Sequence, residues 1–183
     1  MKKVIAILMA AVMVLSFAAC SKAPVTDEET STEADVIVND AAEETSEAAG
    51  TGSVADALAT EFKAIASTGA DAQTIADTLA ASSAVAAIGP ATMPVEPGFL
   101  NGFDNAEITG FDAGVMFAPM IGTIPFVGYV FTLSEGTDVV EFVKTLEENA
   151  NLRWNICTSA DEMVSAVEGN TVFFVMSPMS LEA

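Results

Sequence analysis

Histidine is absent from the 183-residue chain. Its absence removes Ser–His–Asp and Cys–His nucleophile systems, imidazole ligands for zinc and the commonest general base. The sequence also lacks a Gly-x-Ser-x-Gly motif, a Ser-x-x-Lys motif and a phosphate-binding glycine loop that ends in lysine. We therefore predict a non-enzymatic protein without cofactor or metal. A hydrolase that uses paired carboxylates is the third functional hypothesis, because acidic side chains are plentiful.

Basic side chains are scarce: six Lys and Arg stand against 26 Asp and Glu, for a net charge of −20. If Lys2 and Lys3 leave with a signal peptide, four cations remain against 26 acids, a net charge of −22. Nucleic-acid binding is strongly disfavoured because phosphate contacts need clustered Lys and Arg. Anionic lipid headgroups would repel a protein with this net charge. The same negative charge favours cationic or polar partners.

Only two cysteines are present, and the first follows a signal-like stretch. Lys2 and Lys3 precede an apolar run over 4–17, which is about 14 residues long and shorter than a membrane-spanning helix. The sequence Phe17-Ala18-Ala19-Cys20 resembles the lipobox of bacterial lipoproteins. The resemblance implies that residues 1–19 are removed and that a lipid on Cys20 anchors the protein to the outer face of the cell membrane. An ordinary signal peptide with a chance cysteine and a retained membrane anchor are the alternatives.

Acylation of Cys20 would leave Cys157 without an intramolecular partner. Cys157 follows Trp154, Asn155 and Ile156, which is an apolar setting. We predict that it is a buried structural thiol.

Residues 20–52 are expected to form a lipidated cysteine followed by a disordered acidic tether. Nine acidic side chains stand there against Lys22 alone, and little apolar surface is available for burial. A flexible segment of this length reaches roughly 30 Å on average. Residues 53–183 are then long enough for one globular domain.

Helical periodicity and capping residues predict an αα-hairpin at 53–67 and 72–88, with Ser53 and Asp71 as N-caps. A long loop rich in Pro and Gly is expected over 89–105. A third, amphipathic helix should begin after Thr137 or Asp138.

Aromatic and β-branched runs predict strands over 114–118 and 126–133. The closing segment is predicted to form a β-hairpin of strands 163–167 and 171–176, with Gly169-Asn170 at the turn. The rival interpretation is a short helix over 160–167. The order α-α-β-β-α-β-β predicts an α+β domain with an antiparallel or mixed sheet, in two layers. The layout of lipobox, acidic tether and small domain resembles uncharacterised small lipoproteins of Gram-positive anaerobes. The strand, amphipathic helix and closing hairpin over roughly 105–177 resemble one such family, a resemblance that implies no activity and no site residue.

The candidate interaction residues are Arg153, Trp154 and Asn155, because Trp and Arg are favoured at binding hot spots. The alternative is a Trp that closes the core beside an Arg paired with a neighbouring acid. Two metal hypotheses are weaker. Methionines such as Met176 and Met179 suit Cu(I) but also fill gaps in a core. Asp104, Asn105, Glu107 and Asp112 suit Ca²⁺ but also suit a turn.

The function predicted from these observations is a membrane-anchored extracytoplasmic binding or interaction module. The alternative is an accessory subunit or quality-control factor for exported proteins, acting through a sheet edge or the 89–105 loop.

Overall fold

A computed structural model describes residues 52–181, in which the chain folds as an α+β domain. The helices are α1 (Val54–Ala66), α2 (Ala72–Ala80) and α3 (Val139–Asn149). The strands are β1 (Ala91–Val95), β2 (Gly98–Phe99), β3 (Glu107–Ile108), β4 (Phe111–Ala118), β5 (Val127–Leu133), β6 (Glu162–Glu168) and β7 (Thr171–Ser177). The predicted α+β class and element succession are confirmed, with β1 to β3 as additions. Cys20, the signal and most of the tether lie outside the described residues.

Side-chain caps fix where the three helices begin. The Ser53 hydroxyl accepts the Asp56 backbone N–H at 3.1 Å, and the Asp71 carboxylate accepts that of Thr74 at 2.8 Å. Asp138, rather than Thr137, caps α3. These hydrogen bonds satisfy backbone donors that have no partner within the helix.

Helix α2 is shorter than the predicted 72–88. The Ser82 hydroxyl accepts the backbone N–H of Ala84 at the start of a 3₁₀ turn, Ser83–Val85. Ser82 also donates to Glu61 Oε1 at 2.8 Å. A serine that bonds locally in this way competes with the helical hydrogen-bond pattern, which is why the helix stops.

The main sheet has the strand order β1-β4-β5-β7-β6, and each neighbouring pair is antiparallel. The hairpin of β6 and β7 confirms the strand prediction, and the rival helix over 160–167 is wrong. The predicted loop over 89–105 instead contains β1, which pairs with β4 along one edge. Pro94 is tolerated there because an edge strand has one row of backbone groups without partners.

Both faces of the sheet are buried. Helices α1 and α2 cover one face, where the rings of Phe62 and Phe173 stack at 5.4 Å. Helix α3 covers the other, where Phe131 and Phe142 meet edge to face at 5.3 Å. The sheet is therefore a middle layer, whereas the sequence predicted two layers in total. The reason is that β5 and β7 carry large apolar side chains on both faces rather than on one.

Candidate functional site

Two long loops meet at one end of the main sheet. One joins β4 to β5 and the other joins α3 to β6. The register pairs Val127 with Met176 and Glu162 with Ser177, which places both loops at the same end of the strands. We call residues 119–126 and 150–160 together the apolar tip.

Side-chain hydrogen bonds connect the two loops. Asn155 Nδ2 donates to the Gly122 carbonyl at 2.8 Å, and the Thr158 hydroxyl donates to the Thr123 carbonyl at 3.4 Å. The Thr158 backbone N–H closes a turn on the Asn155 carbonyl at 3.0 Å. Because these bonds join residues more than thirty positions apart, the loops form one surface.

The base of the apolar tip is fixed to the core. Trp154 is half-buried and packs against the core beneath α3. The Asn151 backbone N–H donates to the Gly102 carbonyl at 2.8 Å. Gly102 is buried at φ +94°, and a Cβ there would overlap the Met176 methyl and lie 3.9 Å from Cδ2 of Trp154. Only glycine lets the chain approach the tip this closely.

The outer surface of the apolar tip exposes large aliphatic side chains. Met120 is 82% exposed, Ile121 is 75% exposed and Ile156 is 96% exposed. Ile121 and Ile156 directly adjoin Gly122 and Asn155, which are hydrogen-bonded to each other. Each loop therefore exposes an isoleucine directly beside the hydrogen bond that joins the two loops.

Charge is unevenly distributed around this surface. Arg153 is the only charged residue of the apolar tip, whereas the rest of residues 52–181 holds sixteen acidic side chains. Several acids border the tip. Asp104 accepts a hydrogen bond from the Asn151 amide, and Glu148 lies in the last turn of α3, just before the second loop. Asp161 follows the second loop directly, and Glu162 begins β6. The tip itself is an acid-free surface on an acidic domain.

The three candidate interaction residues lie together in the apolar tip, in different environments. Arg153 is exposed and forms no ion pair within the described part of the chain. Trp154 packs on the core, which supports the core-closing interpretation of its ring. Asn155 bridges the loops. Their role in binding stays a prediction.

The prediction that Cys157 is buried is wrong, since its side chain is exposed. The turn closed by Thr158 on Asn155 directs Ile156 and Cys157 outward, so apolar neighbours in sequence do not bury the thiol. The sequence also did not single out Met120, Ile121 and Ile156 as a surface. A signal was present, because residues 119–126 carry no charge in a highly acidic chain.

The positions of the side chains give little support to the copper and calcium hypotheses. Met176 is fully buried in the sheet core while Met179 is half-exposed, which suits gap filling for Met176. Asp104 adopts φ +47°, as Asp does in turns. Among residues 52–181, no group of three or more His, Cys, Asp or Glu is arranged to hold a metal ion.

Comparisons with family models, curated proteins and solved structures produced no match to this chain. Within residues 52–181, none of the helices has the length and apolar character needed to cross a membrane.

Proposed function

We propose that the protein is a membrane-anchored extracytoplasmic binding module, held by a lipid on Cys20, with the apolar tip as its binding surface. The observation that carries the proposal is the joined exposure of Met120, Ile121 and Ile156 on a fixed base. Apolar side chains that are exposed singly are normal, but a contiguous patch marks an interaction site. Loops held by a well-packed sheet are a common place for recognition.

The fold favours this end of the domain over the two faces of the sheet. Both faces are covered by helices or by the segment around Phe103, so neither is free to bind a ligand. The shallow depressions elsewhere include one of about 450 Å³ at the opposite end, which is lined by Gly69, Asp71, Glu168 and Asn170 among others. Unlike the apolar tip, this depression has acidic side chains, Asp71 and Glu168, in its lining.

Charge limits the partners of the module. Residues 52–181 carry Lys63, Lys144 and Arg153 against sixteen acids. Nucleic acids are disfavoured by this balance, and cationic or polar partners are favoured at the acidic surfaces. The apolar tip, by contrast, suits an apolar contact.

Fractionation of cells that express the full chain tests the anchor. Wild-type protein should sediment with membranes, and Cys20→Ser should move to the soluble or secreted fraction because no acyl chain remains. Cys157→Ser is the matched control, since it removes the other thiol and should leave the protein in the membrane fraction. Retention of Cys20→Ser in membranes would contradict the proposed anchor.

An accessory subunit for exported proteins is the second candidate, supported by the free edge of β6. This seven-residue strand pairs only with β7, and Met163 and Val167 are partly exposed along it. Edge strands accept an added strand from a partner. A protein that co-purifies from detergent-solubilised membranes, and is lost when Val167 is replaced by Pro, would favour this role over the apolar tip.

A further inference from the structure

The chain enters the folded domain at the same end as the apolar tip. The Val54 backbone N–H donates to the Met179 carbonyl at 3.2 Å, just beyond the end of β7. Ser177 in turn accepts from the Asp161 N–H at 2.9 Å, and the Ala160 N–H donates to the Leu152 carbonyl at 2.8 Å. A short series of backbone contacts thus leads from the start of α1 to the second loop of the tip.

We infer that the apolar tip inserts its exposed side chains into the bilayer to which the chain is anchored, so that the domain stands on the membrane with its helices and strands above. The inference rests on the proposed lipid anchor at Cys20 and adds to it a second, direct contact with the same membrane. Its occupant is the lipid surface itself.

The form of the tip favours a lipid surface over a shaped partner. Met120, Ile121 and Ile156 are largely exposed on the two loops. Projecting aliphatic side chains need a receiving apolar phase, which hydrocarbon supplies without any complementary pocket. Arg153 is the single cation of the tip, and a long cationic side chain can reach the headgroups while its stem lies along apolar surface.

Electrostatics favour the same orientation. The acids at the opposite end of the sheet include Asp112, Glu135 and Asp138, and an anionic bilayer would repel them. The acids that border the tip, namely Asp104, Glu148, Asp161 and Glu162, oppose close approach. A Debye length of about 8 Å at physiological salt limits this opposition to charges near the surface.

Anchoring makes a weak contact sufficient. A short flexible linker raises the effective concentration of a second contact to about the millimolar range. Burying one Ile or Met side chain in hydrocarbon changes a partition ratio by roughly tenfold. Three such side chains can therefore keep the tip inserted when the domain is tethered, although the free domain would bind vesicles poorly.

The test supplies the anchor artificially, so that it does not depend on lipidation. A hexahistidine tag replaces residues 1–20, and nickel-chelating lipid in phosphatidylcholine vesicles holds the chain. The protein has no other histidine, and Cys157 is then its sole cysteine. An environment-sensitive dye on Cys157 reports insertion through a blue shift on tethering and through quenching by nitroxide-labelled lipid. Trp154, the only tryptophan, gives a label-free second readout with brominated lipid.

Wild-type protein should show both signals. Ile121→Ser with Met120→Ser should reduce the inserted fraction by roughly a hundredfold, while flotation shows that tethering is unchanged. Val140→Ser is the matched control, because Val140 is 77% exposed on α3 at the opposite end, and it should behave as wild type. Unchanged unfolding midpoints would show that the variants remain folded.

Absence of a dye shift on tethered wild type would overturn the inference in favour of a protein partner. A shift that rises with protein concentration without vesicles would overturn it in favour of self-association. The proposed anchor fails by a different result, namely membrane retention of Cys20→Ser in cells, so the two failures are distinguishable.

Discussion

Replacement of Tyr129 by Phe tests how the core supports the segment beneath the apolar tip. Tyr129 is fully buried in β5, and its hydroxyl donates to the Asn101 carbonyl at 2.7 Å. This bond holds the chain just before Gly102, which contacts the base of the tip. Loss of one such hydrogen bond should lower the free energy of unfolding by about 0.5–1.5 kcal/mol at neutral pH.

Burial also raises the pKa of Tyr129 well above its ordinary value, despite the hydrogen bond to Asn101. Below pH ~10 the phenol is protonated in both the folded and unfolded chains, so it contributes its full stability. Above that pH the unfolded chain loses the proton and the folded chain keeps it. Stability should therefore fall by about 1.4 kcal/mol per pH unit, or about 2 kcal/mol at pH ~11.5.

Two measurements check this prediction. Because Tyr129 is the only tyrosine, the ultraviolet absorbance of tyrosinate reports its titration in the folded protein directly. Urea unfolding across alkaline pH should show a steep loss of stability in wild type and a shallower one in Tyr129→Phe, which has no phenol to titrate. A tyrosinate signal with an ordinary pKa in folded protein, or identical slopes for both proteins, would refute the reasoning.

Three further predictions follow from packing. Gly128→Ala should cost about 1–3 kcal/mol in urea unfolding, because the new methyl would overlap the ring of Phe117, and adding Phe117→Leu should recover part of the loss. Equal stabilities of wild type and Gly128→Ala would contradict this packing. Trp154→Ala should cost about 2–4 kcal/mol yet leave a folded domain by circular dichroism, because the ring is only half-buried. Cys157 should react with a thiol reagent in native protein nearly as fast as in urea, and strong protection would contradict its exposure.

The parts of the fold that depend on local signals could be predicted from the sequence. Ser53 and Asp71 are capping residues followed by apolar residues at helical spacing, and both begin helices. Gly169 adopts φ +61° in the turn between β6 and β7, as the Gly-Asn pair indicated. These signals lie within a few residues of the structure that they specify.

Strand β1 could not be predicted in this way. Pro90, Pro94 and Pro97 surround and interrupt it, and its sequence shows no strict alternation. Its conformation comes from pairing with β4, in which Pro94 lies opposite Val115. A strand whose conformation depends on pairing with a neighbouring strand shows few strand-specific signals in its own sequence.

The candidate site was predictable only in part. Arg153, Trp154 and Asn155 were singled out by residue type, but their surface is completed by residues 119–126. The bond from Asn155 to Gly122 spans 33 positions and is a product of sheet register. Local hydropathy gave the wrong environment for Cys157, because an apolar segment is buried only where the fold covers it.

The two ends of the strands differ in charge and in exposed apolar side chains, a difference that neither composition nor fold class reveals. At the end where β4 begins and β5 ends lie Asp112, Glu135 and Asp138, and the apolar tip lies at the other end. The start of α1 is at the tip end, where Val54 bonds to Met179. Repulsion of the distal acids and burial of the tip side chains would therefore act in the same direction on a domain anchored through its N-terminus. A domain with the same charge but an acidic tip would lack this orientation, because both of its ends would be repelled alike.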